Sequence, residues 1–149
     1  MMSQTVEYAL RAMVCLANAS PEPQTTEALA QVTRVPPAYL SKVMLGLTRA
    51  GLVRSQRGPN GGFTLVRSPD DISLLQVVNA VDPIRRIHTC PLDIPQHGGR
   101  LCPLHRRLDQ VLAMTESAFS ETSLADVVGE KGGVTPLCDK TRRKLVSLK

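Results

Sequence analysis

The spacing of apolar positions divides the chain into helices and one hairpin. In TVEYALRAMVCLAN, residues 5–18, Val6, Ala9, Leu10, Met13, Leu16 and Ala17 recur at helical intervals. TTEALAQVT, residues 25–33, opens with hydroxyls and an early acid, so Thr25 or Thr26 is the expected cap of a short second helix. In RVPPAYLSKVMLGLTRAG, Leu40, Val43, Met44 and Leu47 form the inward stripe of a third. Pro37 suits its first turn and Gly51 the position just past its end. LVRSQ and FTLVR have strand character and flank RGPNGG, a turn sequence, which predicts a hairpin. Asp71 or Ser73 then starts the helix ISLLQVVNAV, and Pro83 helps end it.

Residues 83–101 carry no period. From Pro103 onward, Leu104, Leu108, Val111, Leu112, Ala118 and Phe119 predict a helix that is long for a small protein, and SLADVV adds one or two turns. The tail EKGGVTPLCDKTRRKLVSLK mixes Gly, Pro and charge and is expected to be mobile. The chain has no internal repeat. The fold class expected is mainly α with a small β-hairpin: a winged helix-turn-helix plus a long dimerisation helix. Its parts are the winged unit at 1–82, which the charge pattern below marks as DNA-binding, a cysteine-containing loop at 83–102, the long-helix region at 103–128, whose dimerisation role is what the family resemblance below implies, and a basic tail at 129–149.

Charge supplies the partner. The 149-residue chain carries a net charge of +5. Between Arg34 and Arg67 the charged residues are Arg34, Lys42, Arg49, Arg54, Arg57 and Arg67, with no Asp or Glu. An acid-free window spanning the third helix and the hairpin favours phosphates. The order helix, helix, helix, hairpin puts the third helix in a major groove and the hairpin on the neighbouring backbone or minor groove. Tyr39, Ser41, Lys42 and Arg49 on that helix, and Arg54, Arg57, Asn60 and Gly61 on the wing, are therefore the candidate contacts to double-stranded DNA. Aromatics are scarce, which weighs against single-strand binding by stacking.

Four cysteines remain: Cys15, Cys90, Cys102 and Cys138. Cys15 lies in an apolar run and reads as core; Cys138 reads as a tail thiol and His88 as a loop residue. Nothing resembles a signal peptide, and no apolar run approaches the ~20 residues needed to span a bilayer. The expected location is cytoplasmic, where paired cysteines more often mean metal or redox chemistry than structural disulfides. No Walker-type loop, paired-carboxylate constellation or nucleophilic triad is legible, so an enzyme is not expected and no small-molecule substrate is evident.

VEYALRAMVCLA followed by VPPAYLSKVMLGLTRAGLVRSQRGPNGGFTLVRSPDDISLLQVVNAVD resembles the Rrf2 superfamily of bacterial winged-helix regulators, the IscR/NsrR-like family. The resemblance implies a homodimer held by the long helix and bound to a palindromic operator, with repression the expected action. It also implies a sensor of redox, iron–sulfur or nitric-oxide status in the Cys90–His105 region. Cluster-binding members space three loop cysteines C-x5-C-x5-C, some with a following His. Here Cys90 matches the first, Cys102 the third and His105 the C-x-x-H ending, but Gln96 replaces the middle cysteine. Some members add an acidic residue near the start of the first helix, contributed by the other subunit, and Glu7 stands there. The implied ligands of a 2Fe–2S cluster are Cys90, Cys102, His105 and Glu7, with His97 as the alternative fourth. Glutamine is a poor ligand for soft iron, so other readings stay open: zinc, a Cys90–Cys102 thiol switch, a cluster-free site under a protein partner or small ligand, or an interaction module that has lost DNA binding.

Overall fold

The fold was analysed in a computed structural model that describes residues 2–137. Six helices and one hairpin follow in the order α1 (Gln4–Ala19), α2 (Thr26–Thr33), α3 (Pro37–Arg49), β1 (Val53–Gln56), β2 (Gly62–Leu65), α4 (Leu74–Val81), α5 (Pro103–Ser120) and α6 (Leu124–Gly129). Short side chains start several of them. Ser3, Thr25, Ser73 and Ser123 each accept a hydrogen bond from a first-turn backbone N–H. At Ser73 and Ser123 the bond is reciprocated by Gln76 and Asp126, which satisfies two helix-end donors at once. Thr25, not Thr26, is thus the cap of α2, and Ser73, not Asp71, that of α4; Asp71 ends a separate 3-10 turn, Pro69–Asp71.

α1 is the hub. It touches α2, α3, α4, α6 and β2. Ala9, Ala12 and Met13 on it are sealed against Leu29 of α2, Leu40 and Leu47 of α3, Ile72, Val77 of α4 and Leu124 of α6. Small residues on α1 let neighbouring helices approach closely, and burying this apolar surface is the main force holding the domain together. α2 ends with Arg34 in the left-handed region at φ 56°, and Pro37 opens α3, giving the abrupt turn of a helix-turn-helix. The hairpin pairs Val53 with Leu65, Arg54 with Thr64, Ser55 with Phe63 and Gln56 with Gly62. It is not isolated: Gln24, before α2, exchanges two backbone hydrogen bonds with Phe63, at 3.0 and 2.8 Å.

α5 departs from expectation in its faces. The apolar residues read as one rhythm divide into two stripes. Leu112 and Phe119 are half-buried, together with His105, Asp109 and Glu116, whereas Leu104, Leu108, Val111 and Ala118 are exposed on another face. The first part of the tail is also not free. Asn18 donates to the Pro136 carbonyl at 2.9 Å, and Leu137 packs against the core. Cys138 and the rest of the basic tail lie outside the described residues. No helix among those residues is long and apolar enough to cross a membrane.

Candidate functional site

α3 buries Leu40, Val43, Met44 and Leu47 and leaves the rest of its circumference to solvent. Tyr39, Ser41, Lys42 and Arg49 all lie on the exposed part. Ser41 donates back to the Pro37 carbonyl at 3.0 Å, which leaves its oxygen lone pairs outward as acceptors. Tyr39 is braced from behind by an edge-on contact with Tyr8 of α1. On the wing, Arg54 donates from Nε to Thr64 Oγ1 at 3.3 Å, a cross-strand contact that orients the guanidinium. Arg57 and Asn60 are exposed at the tip. Gly61 is required there: a Cβ would fall on the Gln56 carbonyl oxygen and within 2.9 Å of the Arg57 backbone. Arg34, Lys42, Arg49, Arg54, Arg57 and Arg67 are all exposed, and no acidic residue is interleaved with them in sequence. The folded chain therefore carries Lys42 and Arg49 on α3 and Arg54 and Arg57 on the hairpin to solvent, where polyanion phosphates can reach them.

The sensor candidates are gathered less completely. Cys102 is the residue before the first turn of α5, and its Sγ lies 3.3 Å from His105 Nδ1; which of the two donates follows the imidazole tautomer. The i, i+3 relation across a helix start produces this contact. Cys90 lies half-buried at the other end of the loop. His97 sits in a 3-10 turn, Pro95–His97, with its Nδ1 buried and without a hydrogen-bond partner among the described residues. Glu7 is engaged elsewhere: its Oε1 pairs with Arg11 Nε at 2.9 Å, and Arg11 also donates to the Thr33 carbonyl at 3.2 Å. Among the described residues no three His, Cys, Asp or Glu side chains converge as a metal would need. Glu7 was expected from the other subunit. Within one protomer Cys102 and His105 are brought together, and no third candidate ligand joins them among the described residues. The physical reason is that the loop wraps as turns, and Glu7 takes the cation four residues along its own helix. The donor set of a single chain, as folded, does not fit a cluster.

Sequence reasoning missed the most strongly tied group near this loop. Arg86 lays its guanidinium along Asp109, with Nε–Oδ1 and Nη2–Oδ2 both 2.7 Å, and reaches Glu116 at 3.2 Å. Asp109 also accepts the Ile87 N–H at 2.8 Å. These bonds hold the Asp109 carboxyl down at about 2 and push the Arg86 guanidinium up. A signal existed: Asp109 and Glu116 are seven residues apart, hence on one helical face. By contrast the Cys15 thiol is buried in the core, as expected, and burial pushes it up to about 11.

The Rrf2 family model, described as an iron-dependent transcriptional regulator, matches residues 2–130. A protein of Mycobacterium tuberculosis named as an HTH-type transcriptional regulator is 36% identical over 130 residues, covering 86% of this chain and 81% of the relative. One from Aquifex aeolicus, with the same designation, is 29% identical over 129 residues, covering 85% and 90%. Among solved structures, IscR of T. potens superposes with a TM-score of 0.73 at 23% identity, covering 87% of each chain. CymR, the global cysteine regulator of B. subtilis, superposes with a TM-score of 0.72 at 24% identity, covering 87% of this chain and 96% of that one. With its winged helix-turn-helix, its long α5 and a match over nearly all the described residues, the chain belongs to the Rrf2 family of transcriptional regulators.

Proposed function

We propose that the protein is a homodimeric DNA-binding regulator, acting as a repressor, whose hold on a palindromic operator answers to thiol chemistry in the segment Cys90–His105. The observation that carries the DNA reading is the run of exposed cations on α3 and the wing, uninterrupted by any acid. Tyr39, Ser41, Lys42 and Arg49 meet the major groove; Arg54, Arg57, Asn60 and the Gly61 backbone meet the flanking phosphates. The dimer is supported by α5, whose Leu104, Leu108 and Val111 are 63%, 46% and 50% exposed and form a continuous apolar stripe. Such a stripe finds cover in a second copy arranged about a two-fold axis. Repression rests on the family resemblance.

For the sensor, the reading rests on two half-buried cysteines bounding one loop, Cys90 and Cys102, with the Cys102 Sγ in contact with the His105 ring. A low-molecular-weight disulfide would oxidise the pair. Cys90 and Cys102 give up two protons and two electrons and form one S–S bond, and the oxidant leaves as two thiols. A cluster is the second reading, favoured by the same Cys102–His105 adjacency. It requires a second subunit's Glu7, released from Arg11, to complete the set with Cys90, Cys102 and His105.

Selection of duplexes from a randomised pool, followed by titration at several salt concentrations, tests the DNA reading. A steep salt dependence and an enriched palindrome are expected, and no binding at low salt refutes it. Anaerobic reconstitution with iron and sulfide separates the sensors. A coloured protein with stoichiometric iron favours the cluster. A colourless one that loses two hydrogens in mass on oxidation favours the thiol pair.

A further inference from the structure

α5 contains no fully buried residue, so packing alone does not fix its place against the winged domain. Two attachments do. At its C-terminal end Leu74 donates to the Thr122 carbonyl and Leu124 to the Ile72 carbonyl, both at 2.9 Å, with Ser73 and Ser123 facing each other as an antiparallel bridge. Along its middle, from Asp109 to Glu116, the attachment is ionic. Arg86 stands in the strap that leaves α4, and grips Asp109 with two parallel bonds and Glu116 with a third. The strap is itself tied at both ends: the Ile84 N–H donates to Asn79 Oδ1 on α4, and the Ile87 N–H to Asp109 on α5. Arg86, Asp109 and Glu116 side chains are 31%, 16% and 32% exposed, so water competes only partly for them. A planar guanidinium matched to a carboxylate fixes direction as well as distance.

A helix tethered just past its C-terminal end by a two-bond bridge, and gripped about 16 Å before that end at Asp109 and about 6 Å before it at Glu116, is a lever with a hinge and a lock. We infer that the Arg86–Asp109–Glu116 clamp determines which operator half-site spacing the dimer accepts. This rests on the proposed reading of a dimer that meets DNA through α3 and pairs through α5. Once the exposed stripe of α5 is paired with its copy, the separation of the two α3 helices depends on how each winged domain sits on its own α5. The clamp locks that angle. The clamp's bonds run between Arg86, Asp109 and Glu116, with Asp109 and Glu116 on the half-buried face of α5 and not on the exposed stripe, so these residues act as positioning residues.

The test uses the full chain and the palindrome enriched by selection, with its central spacer lengthened or shortened by one base pair, and a duplex carrying a single half-site. Wild-type protein is expected to prefer the selected spacing. Arg86→Ala and Asp109→Asn are expected to reduce that preference about tenfold, while single half-site affinity stays within about twofold and dimerisation persists. Arg86→Lys, which keeps charge but not the fork, is expected to fall between. It also serves as the folded variant if Arg86→Ala does not fold. A spacing preference unchanged in Asp109→Asn and Arg86→Lys overturns the inference. Failure of wild-type protein to bind any selected duplex overturns the DNA reading as well, and is seen separately because it precedes any variant.

Discussion

Tyr8 of α1 and Tyr39 of α3 meet edge to face, their ring centroids 6.2 Å apart and their planes at 62°. Behind them the Arg11 guanidinium lies 5.7 Å from the Tyr8 ring centre while it bonds Glu7 and the Thr33 carbonyl at the end of α2. One arginine and two rings thus tie the hub helix to both arms of the helix-turn-helix. Edge-to-face pairs contribute about 0.5–1.5 kcal/mol beyond area burial. Tyr8→Ala is expected to lower stability by about 1 kcal/mol and to weaken duplex binding by loosening the start of α3. Tyr39→Phe keeps the ring contact and should leave stability unchanged. Urea melts of both variants check this, and equal midpoints for Tyr8→Ala and wild type would refute it.

Arg54 and Arg57 share the wing but have different surroundings. Arg54 is oriented by Thr64, and Arg57 sits at the tip. Each neutralised phosphate contributes about 0.9 to the slope of log affinity against log salt. Arg54→Ala and Arg57→Ala should each lower the slope by about that much. Arg11→Ala provides the contrast, since Arg11 is committed within the domain and its loss should leave the slope alone. Titrations across a salt series measure all three, and a wing variant with the wild-type slope would remove that residue from the phosphate contacts.

The difference between what could be read and what could not follows the range of the interactions. α3 was legible because Pro37, the stripe Leu40–Leu47 and Gly51 are local signals that agree. Cys102 and His105 were legible as a pair only through the resemblance, as its C-x-x-H ending, and the contact between them spans one turn at the start of α5. The Gln24–Phe63 bridge was hidden because a single pair of strand bonds leaves no alternation in sequence. Arg86 was hidden because its partners lie 23 and 30 residues away, and an isolated cation in an aperiodic strap announces no partner. On α5, periodicity identified the helix but not that its apolar positions serve two surfaces. Cys90, Cys102, His105 and Glu7 form a coherent set by motif, yet the fold engages Glu7 with Arg11, a competitor already present four residues away.

The wing depends on Gly62, which has φ +143° and stands against the strand-like segment at Gln24. A Cβ there would come within 2.6 Å of the Gln24 carbonyl oxygen, so that both backbone strain and a steric clash oppose a side chain. Gly62→Ala should cost roughly 1–3 kcal/mol and release the hairpin from Gln24. Gly58 has φ +111° but open space around it, so Gly58→Ala should suffer strain alone and cost less. Denaturant midpoints for the two variants give the order directly, and the reverse order would contradict the bridge.

The clamp has a pH signature. Arg86 first, and then the Ile87 N–H, hold the Asp109 carboxyl at about 2, below its ordinary value of 3.8. A carboxyl depressed on folding stabilises the folded state above its unfolded value, and that contribution is lost as pH falls from about 3.8 through about 2. Removing the titrating group should therefore flatten this part of the acid limb. Thermal midpoints of wild type and Asp109→Asn, compared from pH 5 down to pH 2, should converge as the acid is protonated. A constant gap between them would show that Asp109 does not titrate in that window.

Cys15, Cys90 and Cys102 should separate by reactivity. Cys15 is sealed in the core, 5% exposed, with its thiol held up at about 11 by loss of hydration, so at neutral pH little thiolate is present and no reagent reaches it. Cys90 and Cys102 are only partly covered, and Cys102 Sγ has the His105 ring nitrogen at 3.3 Å. Under native conditions a thiol-specific reagent should modify Cys102 and Cys90 first and Cys15 only after denaturant is added. His105→Ala should change the rate at Cys102 while leaving Cys90 and Cys15 unchanged, because it removes the one side chain in hydrogen-bond contact with the Cys102 sulfur. Peptide mapping after timed labelling follows each site in one experiment. Modification of Cys15 at the rate of the loop cysteines would show that α1 opens in the native state. An unchanged Cys102 rate in His105→Ala would show that the thiol does not use the imidazole.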